Sequence, residues 1–317
     1  MTVLVTGAAG FLGSRVVRAL LGGGDRLPPV SRIVAADTTA CPIGDPRVDV
    51  RTGTIVDSAF ISSIVEDGVD LVFHLAAVLS GQSEAEFDVG MRVNVDATRG
   101  LLEACRRLRR PPRFVFASTV AVFGANLPAE VPEDHVLRPQ SSYGVAKAIA
   151  ELLVSEYSRR GFVDGIVLRL ATVTVRPGAP NSALSSFVSG IIREPLAGID
   201  AVCPVPLDMP IWISSPDVVT GNLIHAARVP SSALGGARCV NLPGLSVTPA
   251  QMLASLERAG GAAARARVRC EIDPGVARVV ATWPGALDDR RARQLGFSAD
   301  RDVDEVVTQY LNSARTR

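Results

Sequence analysis

The stretch VLVTGAAGFLGSRVV, close to the first residue, restricts the possible folds more than any other part of the chain. Gly7, Gly10 and Gly13 recur at G-x-x-G-x-x-G spacing between an apolar run, 2–6, and an amphipathic run, 11–21. A strand that turns directly into a helix uses the first glycine for the turn. The second lets a phosphate approach the backbone, and the third lets helix and strand pack closely. The helix's first amides, those of Phe11 and Leu12 among them, have no intrahelical acceptor and so favour an anion. Further on, RIVAAD ends in Asp37. A carboxylate there accepts the ribose hydroxyls of an adenosine and repels a 2′-phosphate. Thr38, Thr39, Ala40 and Cys41 offer no cation to receive such a phosphate, so the pattern predicts NAD rather than NADP. A solvated strand-end aspartate is the plainer alternative for Asp37.

Short apolar runs at 2–6, 32–36, 71–74, 113–117 and 165–170 alternate with helical patterns at 11–21, 57–66, 90–108 and 142–160. Continuous apolar strands are buried on both faces, and this rhythm is that of a parallel sheet. The expected architecture is α/β, a Rossmann-type doubly wound parallel sheet. After 170 the rhythm breaks into a stretch rich in proline, glycine and serine, 171–210. A helix at 215–228 and a strand at 237–242 follow, then helices and the segment 268–272. The expected division is a nucleotide-binding domain, 1–170, to which 211–242 returns. A smaller, interleaved substrate lobe would take 171–210 and 243–317.

Composition excludes several classes. Hydrophobic residues make up 47% and charged residues 21%, a globular balance, and the net charge of +1 gives no basic field for nucleic acid. The densest basic run, 106–110, reads as a helix carboxyl end opposing its dipole. Five scattered cysteines without C-x-x-C spacing argue for reduced thiols, and neither they nor three scattered histidines form a metal motif. No signal-peptide pattern and no long apolar run is present, so a cytoplasmic protein without membrane spans is expected.

The segment QSSYGVAK sets Tyr143 and Lys147 four apart, on one helix face. Taken alone, they also read as a surface pair of no consequence. The strand at 113–117 ends in Ser118-Thr119, and ligands of doubly wound sheets bind off the carboxyl ends of the strands. Thr119, the glycine loop and the Tyr143 helix are therefore expected at one crevice. A free tyrosine, with a pKa of about 10, is a poor base at neutral pH; a nearby ammonium and an oxidised nicotinamide favour its phenolate. Tyr143 could then take the proton of a substrate alcohol as hydride leaves carbon.

TGAAGFLG, HLAA, FASTVAVFG and PQSSYGVAK resemble the extended short-chain dehydrogenase/reductase family over nearly the whole chain. The resemblance implies an NAD-dependent oxidoreductase acting on CH–OH, with Thr119, Tyr143 and Lys147 catalytic. It implies that Leu75, Ala76 and Ala77 line the cofactor while His74 is structural. Asn94 matches a family asparagine near the site, although satisfying loop backbone is an equal role for it. It also implies a homodimer through a four-helix bundle built from 90–108 and 142–160.

Nucleotide-sugar epimerases of the family carry an arginine where Pro210 aligns and a tyrosine where Phe123 stands, and its dehydratases carry an acidic pair where Val120-Ala121 stands. These departures count against such substrates. The segments RPGAPNSALSSFVSGIIREPLAG, PIWISSPDVVTGNLIHAARVP and CVNLPGLSVT instead resemble the branch that oxidises C2 of a four-carbon acid sugar, D-erythronate, to the 2-keto acid. Ser80, Gln82, Arg176, Asn181 and Ser185, with Thr119 and Tyr143, offer the hydrogen bonds and the cation such a substrate needs. Arg176 is the candidate for the carboxylate and equally a surface arginine. Ser214 and Ser215 read as helix caps. A uronate or L-threonine dehydrogenase, a nucleotide-sugar epimerase and a non-catalytic NAD-sensing regulator are the competing readings; the last is disfavoured because tyrosine and lysine are both kept.

Overall fold

The computed structural model describes residues 1–23, 27–178 and 184–315. In chain order the first half runs β1 (Thr2–Thr6), α1 (Phe11–Leu21), β2 (Arg32–Asp37), β3 (Val48–Thr52), α2 (Ser58–Ile64), β4 (Val69–His74), α3 (Ser80–Ala85), α4 (Phe87–Met91), a π-helical turn (Arg92–Asp96), α5 (Ala97–Arg106), β5 (Arg113–Thr119), a 3-10 turn (Val120–Val122), α6 (Ser142–Arg159) and β6 (Asp164–Leu170). The second half adds β7 (Thr172–Val173), α7 (Ser186–Leu196), β8 (Ala201–Cys203), β9 (Ile211–Ser214), α8 (Pro216–Ala226), α9 (Ser231–Leu234), β10 (Cys239–Asn241), β11 (Leu245–Val247), α10 (Pro249–Ala266), β12 (Val268–Cys270), α11 (Pro274–Val280), α12 (Arg290–Gln294) and α13 (Val303–Arg315).

Two compact units are present. The first comprises 1–119, 145–169 and 220–240; the second comprises 120–144, 170–219 and 241–317. Seven strands form the main sheet in the order β10-β6-β5-β4-β1-β2-β3, with β3 to β2, β2 to β1, β1 to β4 and β4 to β5 parallel. The order reverses between β1 and β4, where Thr6 and His74 lie side by side. Their loops therefore leave the sheet together, at the point where doubly wound sheets hold ligands. Val3, Leu4 and Val5 are fully buried, which is why β1 is a continuous apolar run. Leu4, Val72, Phe114 and Phe116 pack with Leu101, Leu102 and Val154 into one core under α5 and α6.

Elements of the first unit differ from the sequence reading. β3 carries Asp49 and Arg51 on the sheet edge, where Asp49 binds both Arg32 and Arg51. Its mixed pattern is that of an edge strand, and apolar runs do not reveal it. The helix expected at 90–108 is interrupted by the π-turn around Asn94. Such a turn re-aims the side chains beside it.

The second unit has a sheet of its own. β11 runs antiparallel and β7 parallel to β9. Residues 220–240 cluster with the main sheet, whereas 211–219 belong to this second unit, because Ile211 and Ile213 of β9 are buried in its core with Val188, Ile191, Met252 and Leu256. β8 and β12 form a two-stranded parallel pair. Thr248 and Gln251 close a reciprocal capping box on α10.

Candidate active site

The glycine loop is built by close backbone contact. Gly7 has φ +72°, and a Cβ on it would lie 2.7 Å from the Ala76 amide nitrogen. A Cβ on Gly13 would lie 2.0 Å from the Gly7 carbonyl oxygen. A side chain at Gly7 would drive the loop after β1 away from the loop after β4, and one at Gly13 would push α1 away from the loop after β1. The Gly10 amide donates to the Gly7 carbonyl at 3.0 Å. Gly10 also starts α1 with no side-chain cap, and the first turn holds no acidic residue. Asp37 reaches this loop: its carboxylate accepts from the Ala9 amide at 3.0 Å, the Thr38 hydroxyl at 3.2 Å and the Thr39 amide at 3.3 Å. Gly7, Gly10, Gly13, Asp37 and Ala76 are thus brought together, with Phe11 and Leu12 in the first turn of α1.

A buried polar chain holds the second loop. The Thr98 hydroxyl donates to the Asn94 carbonyl at 2.9 Å, so His74 Nε2 donates to Thr98 at 2.9 Å and Nδ1 accepts from the Thr6 hydroxyl at 2.7 Å. Burial, and then the charge of Lys147, push His74 down to about 3, so the ring is neutral. Asn94 accepts from the Val78 amide at 2.9 Å and donates to the Val78 carbonyl at 3.0 Å. Its side chain is engaged by the loop that also carries Leu75, Ala76 and Ala77.

Strand alternation separates the two hydroxyls at the end of β5. Ser118 is buried and donates to Glu151, while Thr119 is half-buried on the opposite face. Lys147, 3% exposed, donates to the Ala117 carbonyl at 2.8 Å, and its ammonium lies 4.6 Å from the centre of the Phe116 ring. Tyr143 stands one turn earlier on α6 and is half-buried. Desolvation pushes its phenol up to about 12 and Lys147 down to about 7, with Glu151 opposing the latter shift. Both shifts have one cause: burial penalises phenolate and ammonium alike. The lowered phenol expected from the lysine is therefore not found in the ligand-free protein, where burial sets it.

The remaining candidates are less converged. Ser80 opens α3, half-buried, whereas Gln82 is exposed and donates to Glu86. Arg176 and Ser185 lie in the second unit, Ser185 as the residue before α7. Asn181 lies outside the described residues. Ser215 caps α8 by accepting from the Val218 amide at 3.2 Å, and the Ser214 hydroxyl donates to Asp300 at 3.3 Å.

Residues 3–223 match the model of the family described as NAD dependent epimerase/dehydratase. The chain belongs to that family. It is 51% identical to D-erythronate dehydrogenase of Cupriavidus necator over 99% of both chains. It is 41% identical to D-erythronate dehydrogenase of Haemophilus influenzae over 98% of this chain and 99% of that one. Among solved structures, the nucleoside-diphosphate-sugar epimerase of Agrobacterium tumefaciens superimposes with a TM-score of 0.95 at 38% identity, covering 100% of this chain and 95% of that one. The resemblance to extended short-chain dehydrogenases/reductases and the doubly wound fold are both borne out. No helix among the described residues is long and apolar enough to cross a membrane.

Family members take a nicotinamide cofactor, and the first unit fits one. A cradle that any Cβ would fill, uncapped helix amides and a carboxylate at the loop edge are the features a dinucleotide needs. Sequence reasoning missed Glu151 and Arg169, a buried ion pair at 2.8 Å behind Lys147. It also missed that Lys147 is the sole lysine among 33 basic residues, a signal plainly available.

Lys147 makes stability depend on pH. Its folded pKa is lowered from 10.5 to about 7, so across that window the unfolded chain holds a proton that the folded chain has lost. Stability from this group therefore rises with pH through the window, by at most about 1.4 kcal/mol per pH unit. Lys147→Met should gain most over the native protein at or below neutral pH, and the gain should shrink toward about pH 10. Urea unfolding of both proteins at several pH values measures it; a constant difference would contradict the assignment.

Proposed function

We propose that this protein oxidises the C2 hydroxyl of D-erythronate to the 2-keto acid, with NAD as acceptor. The observation that carries this reading is identity to D-erythronate dehydrogenases of 51% and 41% over almost the entire chain. NAD, when bound, supplies the two-electron hydride acceptor. It would be held by the Gly7–Gly13 loop, the first amides of α1, Asp37, and the Leu75–Ala77 loop that Asn94 braces. Tyr143, as phenolate, takes the hydroxyl proton, and Thr119 donates a hydrogen bond to the same oxygen. Lys147 as ammonium favours that phenolate. Because the phenol stands near 12 in the ligand-free protein, oxidation should accelerate as pH rises, less steeply than for a lone phenol because Lys147 loses its proton above about pH 7.

Arg176 is the candidate for the substrate carboxylate, with Ser80, Ser185 and Asn181 as hydroxyl partners. Its backbone is fixed on both sides, the amide donating to Ser189 at 3.1 Å and the carbonyl accepting from Arg193 at 2.7 Å. Burial and the charge of Arg193 hold its guanidinium below the usual arginine range, a strain that a bound carboxylate relieves. A nucleotide-sugar reading is favoured by one solved relative, the sugar epimerase at 38% identity. The Pro210 and Phe123 positions oppose it.

Mixing the protein with NAD and D-erythronate, beside L-threonate, L-threonine, glucuronate and UDP-glucose, should yield NADH with D-erythronate alone. Turnover of a different compound moves the substrate, and epimerisation of UDP-glucose selects the second reading. Tyr143→Phe should lower kcat at least about a hundredfold with NADH binding nearly intact. Survival above a few per cent removes Tyr143 as the base.

Asp37→Ala should weaken NAD and narrow its preference over NADP about tenfold, read as the ratio of kcat/KM values. An unchanged ratio would return Asp37 to a purely structural role.

A homodimer through α5 and α6 is part of the proposal. Val145 and Leu152, seven residues apart on one face of α6, are 39% and 70% exposed. Light scattering should give twice the chain mass, and Leu152→Asp should halve it at micromolar protein. A monomeric native chain would rule the interface out.

A further inference from the structure

Behind the proposed catalytic pair lies a buried charged cluster that the mechanism above does not use. Glu151 is 2% exposed, one helical turn after Lys147. Arg169 on β6 donates to it from Nε at 3.1 and 3.2 Å and from Nη2 at 2.8 Å. Ser118, the neighbour of Thr119 in the chain, donates to the same carboxylate at 2.5 Å. Two tethers from two strands therefore fix one carboxylate a helical turn along α6 from Lys147. Among the described residues, Cys239 on β10, whose thiol is pushed up to about 12 by burial and then by Glu151, neutral His74 on β4 and Ser155 on α6 also act at this cluster. Tyr143 lies on the same helix. Glu151 is the acidic group that opposes discharge of Lys147, and desolvation favours discharge.

A structural ion pair joining a helix to a strand does not need to sit one turn beyond the sole lysine, nor to share a serine with the strand end that carries Thr119. Burying an ion pair costs desolvation that its mutual attraction only partly returns, so its placement beside Lys147 asks for a reason. We propose that Glu151 is a positioning residue for the catalytic set: held by Arg169 and Ser118, it favours the charged form of Lys147 and fixes the end of β5 that presents Thr119. This rests on the reading of Lys147 and Thr119 given above. Arg169 acts in the opposite electrostatic sense, sharing the carboxylate and tempering its pull on the ammonium.

The sole lysine makes the test direct. Protein grown with 13Cε-lysine carries one lysine side-chain signal, which titrates with Lys147 and requires no substrate. Glu151→Gln should move that midpoint down by about one unit or more, and Arg169→Gln should move it up. Opposite signs are the mark of the proposed circuit; shifts of one sign, or none, overturn it. If one variant fails to fold, the sign of the other decides. With D-erythronate and NAD, Glu151→Gln should also displace the alkaline rise of kcat to higher pH, KM changing little. Glu151→Asp, which keeps the charge, should leave the rise where it is. A loss equal at every pH would mean a scaffold role alone and would overturn the proposal. If D-erythronate is not turned over, the lysine titration still decides, so failure of the substrate reading and failure of this inference are separable.

Discussion

Everything at the carboxyl end of the main sheet depends on how closely two backbones approach. Gly7 and Gly13 lack side chains where the loop after β1 presses on Ala76 and on itself, with a Cβ at either place falling within 2.7 Å of backbone atoms. That contact puts the amino end of α1, the Asp37 carboxylate and the loop after β4 within one small region. Without it there would be two strand ends and no cradle. The cost is borne by glycine's conformational freedom, and the sheet's buried apolar strands hold the arrangement against that cost.

The second loop is kept in place by polarity. Thr6, His74, Thr98 and Asn94 form one chain of hydrogen bonds, and Asn94 ends it on both peptide groups of Val78. Each donor in this chain has an acceptor, which is the condition under which buried polar groups rigidify and do not destabilise. The π-turn carries Asn94 in its middle, so the irregularity in the helix and the bracing of the loop are one feature.

Lys147 illustrates why residue type matters as much as charge. The chain uses arginine at every basic position but this one. An arginine keeps its proton under almost any burial, and its planar fork asks for several acceptors. A lysine in this pocket stands close to neutrality, needs few partners and can be switched by its neighbours. Ala117, Phe116 and Glu151 are among those neighbours. Ser118 and Thr119 differ because adjacent strand residues face opposite ways: the Ser118 hydroxyl serves the buried cluster, and Thr119, the proposed partner of the substrate oxygen, faces the other side.

Local spacing was enough to expose the glycine loop, the strand–helix rhythm, Asp37 and the Tyr143–Lys147 pair, because each is written within a turn or two of chain. The sequence by itself therefore determined the fold class, the kind of cofactor and the residues from which the proposed acid/base couple is drawn. The tertiary structure decided the rest. It assigned β3 to an edge, β9 to a second sheet, Asn94 to Val78 and Glu151 to Arg169, and it turned Gln82 outward. Thr6 and His74 meet across 68 residues, and Ser118 and Glu151 across 33. Such pairings follow from strand register and helix docking, which depend on the packing of the entire core and leave no periodic mark on the segments they join.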